Sequence, residues 1–317
     1  MSEALQRIPK LIATSVVRGS QQGESHGGVY LVDFASQEVR KCIDWNTSDI
    51  DFTGRGWDRG LRGIEFYKRH ILIAASDELF VYDKNFVLKK SFRNPYLKHC
   101  HEIWRMENLL FLTSTGYDSL LAFDLDRDKF TWGFHITRKG DGWEGQMFDP
   151  ASGSGPPFDN RLHLNMIYVD KTGVYASGMR TEALLHVDGE FQVSVACTLP
   201  AGVHNARPFR RGVLFNDTRD DCVRFVGRDG THRAFRIPTY EPERIQFMGV
   251  DDSKLARQGF GRGLCPLDDR LIAAGSSPST ITIYDLETGM QAASVNLTMD
   301  IRNAIHGLEI WPPRMSR

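Results

Sequence analysis

Three observations predict that residues 1–317 form a single all-β domain, a six-bladed β-propeller. Short apolar runs recur six times along the chain, and further strand-like runs follow each of them at similar spacing. No stretch keeps a helical apolar periodicity for more than about two turns. Four short strands per unit, joined by tight turns, is the pattern typical of a propeller blade.

The second strand of each unit is an apolar run that ends in small or polar residues. The strand-like run that follows it closes on an aspartate in five of the six units. Such a carboxylate can accept hydrogen bonds from backbone N–H groups two residues further on, so we expect a tight turn after each aspartate. The second strands lie at 10–15, 70–76, 109–115, 173–178, 212–217 and 270–276, and the aspartates are Asp33, Asp83, Asp124, Asp188 and Asp285.

The two ends of the chain each carry part of one blade. Residues 306–310 have the pattern of an innermost strand without a continuation, whereas residues 10–15 have that of a second strand without a predecessor. Pairing the two segments completes the sixth blade and removes an exposed sheet edge. We therefore expect one blade to be closed by both the N- and C-terminal segments.

The innermost strand of each unit begins with a basic side chain, and together these side chains predict a ring around the axis. Four of the ten histidines occupy this position. Converging imidazoles favour a mononuclear divalent transition metal, either iron, manganese, zinc, copper or nickel. Guanidinium groups favour a small anionic substrate. The ring positions are Arg62, His101, His163, His204, Arg262 and His306.

The predicted roles follow from this chemistry. The metal ligands are His101, His163, His204 and His306, while Arg62 and Arg262 flank His306 and bind the anion. We expect His306, Arg62 and Arg262 to be catalytic. The expected reaction is either a lyase or isomerase step, in which a free histidine moves the proton and the metal stabilises an enolate-like intermediate, or an oxygenase step on bound iron. Polar side chains close to the ring are expected to orient the imidazoles, namely Glu65, Glu102, Asn165 and Glu309.

Three long connections precede ring residues and are expected on one face of the propeller, at 46–61, 137–161 and 239–261. Long irregular segments in a compact domain are usually functional. Their aromatic and charged residues predict the wall of a substrate pocket. The predicted pocket residues are Trp57, Arg59, Trp143 and Phe260, although the same aromatics would also serve to anchor the loops.

Composition excludes several classes of partner. The 39 Lys and Arg residues balance 40 Asp and Glu, so the chain has no general electrostatic footprint for nucleic acid or an anionic membrane. The N-terminal sequence holds no apolar run long enough for a signal peptide or a membrane span. The five scattered cysteines favour a reducing, cytoplasmic compartment over a disulfide framework.

The repeated blades, the aspartate turns and the closure by both termini resemble the broad six-bladed group that includes SMP-30/gluconolactonase, strictosidine synthase and related hydrolases and lyases. This resemblance covers nearly the whole chain and is architectural. Gluconolactonase-type enzymes hold an axial divalent metal through Glu, Asn and Asp, whereas the axial positions here are mostly His and Arg, so that site does not carry over. A four-His axial metal is similar in idea to that of carotenoid-cleaving oxygenases, and a His-rich axis resembles propeller lyases acting on uronates or cyclic depsipeptides.

Three alternatives remain open from the sequence. In the first, the ring only fills the channel, since propeller axes need polar groups to satisfy strand ends and ordered waters. A metal-free lyase would use the His and Arg side chains directly. A non-enzymatic propeller would bind a ligand or a partner protein through its loop face.

Overall fold

The computed structural model describes residues 8–21, 23–46, 60–248 and 257–315. Its strands form six antiparallel sheets arranged as a six-bladed β-propeller, which confirms the predicted fold class. The helices whose bounds are described are three-residue 3₁₀ turns at Thr115–Tyr117, Pro242–Arg244 and Pro313–Met315. None of the helices described is long and apolar enough to cross a lipid bilayer.

The strands are short, as the recurring runs predict. In chain order they are β1 (Leu11–Val17), β2 (Gly28–Asp33), β3 (Glu38–Asp44), β4 (Ile64–Tyr67), β5 (His70–Ala75), β6 (Glu78–Asp83), β7 (Leu88–Arg93), β8 (Ile103–Met106), β9 (Leu109–Ser114), β10 (Ser119–Asp124), β11 (Lys129–Lys139), β12 (Gly142–Phe148), β13 (Leu164–Asp170), β14 (Gly173–Gly178), β15 (Ala183–Val187), β16 (Val193–Thr198), β17 (His204–Phe209), β18 (Gly212–Asp217), β19 (Cys222–Gly227), β20 (His232–Arg236), β21 (Gly259–Pro266), β22 (Leu271–Ser277), β23 (Thr280–Asp285), β24 (Met290–Asn296) and β25 (Asn303–Ile310).

The blades follow chain order except at the closure. They are β4 to β7, β8 to β12, β13 to β16, β17 to β20, β21 to β24, and β25 with β1 to β3. The chain divides into two compact units, described separately below. The terminal unit comprises Met1–Arg62 and Arg210–Arg317, and the central unit comprises Gly63–Phe209. The single domain predicted from the sequence stays a prediction.

In the terminal unit, both ends of the chain close one blade, as predicted. β25 pairs with β1 from Leu11 opposite Ile310 to Val17 opposite Asn303. The Thr14 hydroxyl donates to the carbonyl of Arg62 at 2.5 Å and accepts from the N–H of Gly307 at 2.8 Å. Because Thr14 is fully buried, these two hydrogen bonds satisfy backbone groups that water cannot reach.

The turn aspartates act as the sequence predicts. In every case one carboxylate oxygen accepts a hydrogen bond from the N–H two residues further on, at 2.9–3.0 Å. A second N–H, three or four residues on, bonds to the same oxygen. The five residues are Asp33, Asp83, Asp124, Asp188 and Asp285.

In the central unit, the second blade has five strands, because β12 pairs with β11 beyond the expected fourth strand. The prediction of a long irregular connection at 137–161 is therefore wrong for residues 137–148, which form the end of β11, a turn and β12. Glycines allow the hairpin, since a Cβ at Gly145 would lie 2.0 Å from the Phe134 ring and one at Gly133 would lie 2.4 Å from Phe148. Each aromatic ring thus lies over a glycine of the paired strand.

The pairing register changes one member of the predicted ring. The first hairpin of the second blade pairs Met106 with Leu109, and that of the third blade pairs Asp170 with Gly173. The residue that matches His101, counted back from the hairpin, is therefore Asn165. His163 lies two residues before Asn165, just as His99 lies two residues before His101 in the preceding blade. Both histidines have a φ of 55°. The predicted equivalence of His163 with His101 is wrong, because the pairing at the hairpin ends fixes the register, whereas the prediction relied on the similarity of residues 101–104 to residues 163–166.

Candidate anion-binding site

Four arginines of the terminal unit lie close together and are called here the arginine cluster: Arg18, Arg62, Arg257 and Arg262. Arg18 directly follows β1, and Arg262 lies in β21. Burial, together with the charges of Arg62 and Arg257, lowers the pKa of Arg18 to about 9. Burial and the charges of the other three members hold the pKa of Arg262 well below its usual range. The cluster is therefore a concentration of like charge at buried and half-buried positions.

Phe260 lies at the centre of the arginine cluster. Its ring centroid is 4.0 Å from the guanidinium carbon of Arg18, 4.3 Å from that of Arg262 and 5.2 Å from that of Arg257. A ring face attracts cations, so Phe260 holds these side chains in place, but it does not neutralise their charge. Phe260 was predicted as a pocket residue from its place in the connection at 239–261, and in the structure it lies in β21.

Two residues of the turn between β18 and β19 hold part of the arginine cluster in place through hydrogen bonds. Arg257 Nη1 donates to both carboxylate oxygens of Asp221 at 2.6 Å, and the Phe260 N–H donates to Asp221 Oδ1 at 3.0 Å. Thr218 Oγ1 donates to the carbonyl of Gly261 at 3.0 Å and accepts from Arg262 Nη1 at 3.4 Å. One carboxylate and one hydroxyl therefore position both the aromatic ring and two of the arginines.

Two arginines of the cluster have no carboxylate partner among the described residues. Neither Arg18 nor Arg262 forms an ion pair within the described ranges, although Arg262 is only 6% exposed. Arg18 Nη1 and Arg262 Nε are buried and have no hydrogen-bond partner among the described atoms. Buried guanidinium groups with unused N–H donors are costly unless an anion completes them. The arrangement is suited to binding an oxyanion.

The ring histidines of the central unit have their Nδ1 atoms beside oxygen acceptors. His101 Nδ1 is 2.6 Å from the carbonyl of His99 and 2.9 Å from Thr115 Oγ1, and His204 Nδ1 is 3.2 Å from the carbonyl of Gly202. Because a carbonyl oxygen only accepts, Nδ1 carries the hydrogen in these two imidazoles and Nε2 is the basic nitrogen. His163 Nδ1 lies 3.1 Å from Asn160 Oδ1.

Two of the predicted metal ligands lie side by side in the central unit. The imidazole rings of His101 and His163 are 5.1 Å apart between centroids. Asn165 takes the ring position of its blade and donates its amide hydrogen to the carbonyl of Val203 at 2.9 Å. Within the described residues, no three His, Cys, Asp or Glu side chains are placed to share a metal ion. The metal and its four histidine ligands therefore stay a prediction.

The carboxylates expected to orient imidazoles have other partners. Glu65 accepts from the N–H groups of Phe66 and Arg105, at 3.1 and 3.0 Å. Glu102 accepts from the N–H of Ile103 at 3.2 Å and from Asn205 Nδ2 at 3.0 Å. Burial raises the pKa of both carboxyl groups, that of Glu102 to about 7 despite the nearby charge of Arg207. In the terminal unit, Glu309 Oε2 accepts from the Cys265 thiol at 3.7 Å.

The remaining predicted residues are placed as follows. Trp57 and Arg59 lie outside the described residues. Trp143 lies on β12, at the opposite edge of its sheet from β8, and packs against the apolar cluster that includes Val187. His306 is buried in β25 of the terminal unit.

Sequence reasoning missed Arg18, Arg257 and Asp221. No repeat position or motif marks these residues, because Arg18 and Asp221 follow the ends of strands in different blades and Arg257 lies in a long connection.

Fold and site together define the class of this protein, a six-bladed β-propeller with a partly buried arginine cluster. No family model matches the sequence, and no curated protein is similar to it. A protein of unknown function from Bacteroides caccae has 10% identity and a TM-score of 0.58, over 95% of this chain and 98% of that one. The virginiamycin B lyase from Staphylococcus aureus has 10% identity and a TM-score of 0.46, over 86% of this chain and 88% of its own. At such identities the first of these likenesses shows the fold alone.

Proposed function

We propose that this protein binds a small anionic ligand through the arginine cluster. The observation that supports the proposal is the pair of guanidinium groups, Arg18 and Arg262, that have buried unused N–H donors and no carboxylate partner among the described residues. Arg62, predicted from the sequence to bind the anion, belongs to the same cluster.

Other side chains of the protein hold the arginine cluster in place before any anion binds. Asp221 and Thr218 hold the segment from Arg257 to Arg262 through hydrogen bonds, and Phe260 packs against three guanidinium groups. A site formed in advance loses less side-chain freedom on binding, which improves affinity. Ligand binding would also relieve the mutual repulsion of the arginines.

Substitution of Arg262 by methionine tests this proposal. Inorganic phosphate should stabilise the wild-type protein against thermal unfolding, by about 2.7 kcal/mol when its concentration is about a hundred times Kd. Arg262→Met should weaken phosphate binding by roughly tenfold or more, since a charged hydrogen bond contributes about 1.5–3 kcal/mol. Isothermal titration calorimetry measures the affinity directly.

Arg302→Met is a matched control. Arg302 also stacks on an aromatic ring, 3.9 Å from the centroid of Phe247, but its guanidinium donates to both carboxylate oxygens of Asp300. This variant should bind phosphate like the wild type. Absence of anion binding by the wild-type protein, or equal losses in both variants, would contradict the proposal.

The metal-dependent lyase, isomerase or oxygenase chemistry predicted from the sequence has its own test. Elemental analysis by plasma mass spectrometry, on protein purified without chelators, measures the bound metal per chain. One equivalent that a His101→Ala/His204→Ala variant loses would support the histidine ligands. No metal after loading with iron, manganese, zinc, copper and nickel would contradict them and leave a metal-free enzyme or a ligand-binding propeller.

A further inference from the structure

We infer that β24, the outermost strand of its sheet in the terminal unit, binds an extended segment of another protein by strand addition. The partner segment carries an apolar residue and, two residues away from it, a Lys or Arg. Three features of the terminal unit carry this inference: an open strand edge, an adjacent apolar cavity and a carboxylate at the rim of that cavity. None of them belongs to the arginine cluster, so the inference does not depend on the proposed anion binding.

One edge of β24 has no strand to pair with. β24 is the last strand of its sheet and pairs with β23 on one side, and no strand lies beyond it within the described residues. Four of its seven residues are exposed, namely Met290, Gln291, Ala292 and Ser294. An open edge presents N–H and C=O groups to which an extended segment can form hydrogen bonds.

β24 also lacks the charges that protect other outer strands from pairing. Its sequence contains no charged residue, whereas the outer strands β3, β7 and β20 each carry at least two Lys or Arg residues. β16 is uncharged as well, but β12 of the neighbouring blade lies against it. Because charged side chains on an edge strand discourage strand addition, β24 is the described outer strand best suited to it.

A cavity of about 320 Å³ lies between β24 and the hairpin of β2 and β3 in the adjacent blade. Its lining includes Val32 and Phe34, which are buried in the core of the terminal unit, and Ala293 and Val295 of β24, which pack against the same core. The cavity is therefore suited to an apolar side chain. Successive side chains of an extended segment point to opposite faces, so residues i and i+2 of an added strand lie on the same face.

The carboxylates at the rim of the cavity determine the charge of the partner. Asp33 is already paired with Lys10, at 3.3 Å. Glu38 is exposed at the start of β3 and forms no ion pair within the described ranges. The described residues that line the cavity include no Lys, Arg or His. A partner with Lys or Arg on the same face as its apolar residue is complementary to this rim, whereas an acidic partner is not.

Two model peptides test the inference. The first is an acetylated and amidated heptapeptide with valine at its centre, threonine on both sides of the valine and at both ends, and lysine at the two remaining positions. The second has glutamate in place of each lysine. Calorimetric titration of the wild-type protein should give a Kd below about 1 mM for the lysine peptide. The glutamate peptide should bind at least about fivefold more weakly.

Three variants locate the binding site. Ala292→Lys should weaken binding of the lysine peptide by about tenfold, because it places a like charge on the pairing edge. Ala234→Lys makes the same change at an exposed position of the outer strand β20, and this control should bind like the wild type. Glu38→Gln should reduce the preference for lysine over glutamate by about two- to fivefold, as expected for an exposed ion pair.

Hydrogen–deuterium exchange distinguishes strand addition from general charge attraction. The lysine peptide should slow the exchange of the N–H groups of β24 and leave those of β20 unchanged. Unchanged exchange in β24, or equal affinities of the two peptides for the wild-type protein, would overturn the inference. A wild-type dimer in sedimentation that Ala292→Lys converts to a monomer would also overturn it, because a second copy of the chain would then occupy the edge.

Discussion

At the scale of single residues, Glu102 is a carboxyl group that the fold holds out of water. It accepts hydrogen bonds from the N–H of Ile103 and from Asn205, and Arg207 favours its charged form. Burial outweighs these effects and raises its pKa from an ordinary 4.5 to about 7. The folded protein therefore keeps a proton that the unfolded chain releases between these two values.

Stability should fall as the pH rises through this range. The folded state binds the additional proton between pH 4.5 and pH 7, so the free energy of unfolding decreases over that interval and is level above it. The total effect is on the order of 3 kcal/mol. Glu102→Gln cannot ionise and should flatten the pH dependence of urea unfolding between pH 5 and pH 7. An unchanged slope would show that Glu102 titrates normally in the folded protein.

At the scale of elements, the aspartate turns join the outer strands of the blades. Asp188 Oδ1 accepts from the N–H groups of Glu190 and Gln192, both at 2.9 Å. These bonds satisfy turn groups that no strand partner reaches, so the same residue type recurs at the same place in five blades. The sequence alone was sufficient to predict these turns, because the interaction is local.

Asp188→Ala should destabilise the protein by about 1 kcal/mol, the usual cost of losing a side-chain acceptor for backbone N–H groups. Asp188→Asn keeps an acceptor oxygen and should retain most of the stability. Asp141→Ala is the control, because Asp141 lies in the exposed turn between β11 and β12 and makes no hydrogen bond among the described residues. Urea denaturation measures all three, and equal losses for Asp188→Ala and Asp141→Ala would contradict the role of the carboxylate.

At the scale of the whole molecule, one blade depends on strands from the two ends of the chain. Thr14 bonds to Gly307, which lies 293 residues away, and to Arg62. Thr14→Val keeps the shape of the side chain but leaves a buried N–H and a buried carbonyl without this partner. The expected loss is about 1–3 kcal/mol in urea unfolding.

Thr131→Val is the control for this closure, because the Thr131 hydroxyl makes a single long bond of 3.5 Å to the carbonyl of Ala122. It should change stability by less than about 0.5 kcal/mol. A loss for Thr14→Val no larger than that of the control would mean that the hydroxyl does not contribute to the closure.

The sequence by itself determined the blade class, the five aspartate turns and the closure by both termini, because strand periodicity, turn chemistry and the order of segments are local properties. The sequence also predicted site roles for Arg62 and Arg262, from their positions at the start of inner strands, and for Phe260, from its position in the connection before one of them. Only the tertiary structure decided that Asn165 and not His163 takes the ring position, since hairpin pairing sets the register. It alone brought Arg18 and Arg257 to Arg262, because like charges approach this closely only where packing, Asp221 and Phe260 hold them together.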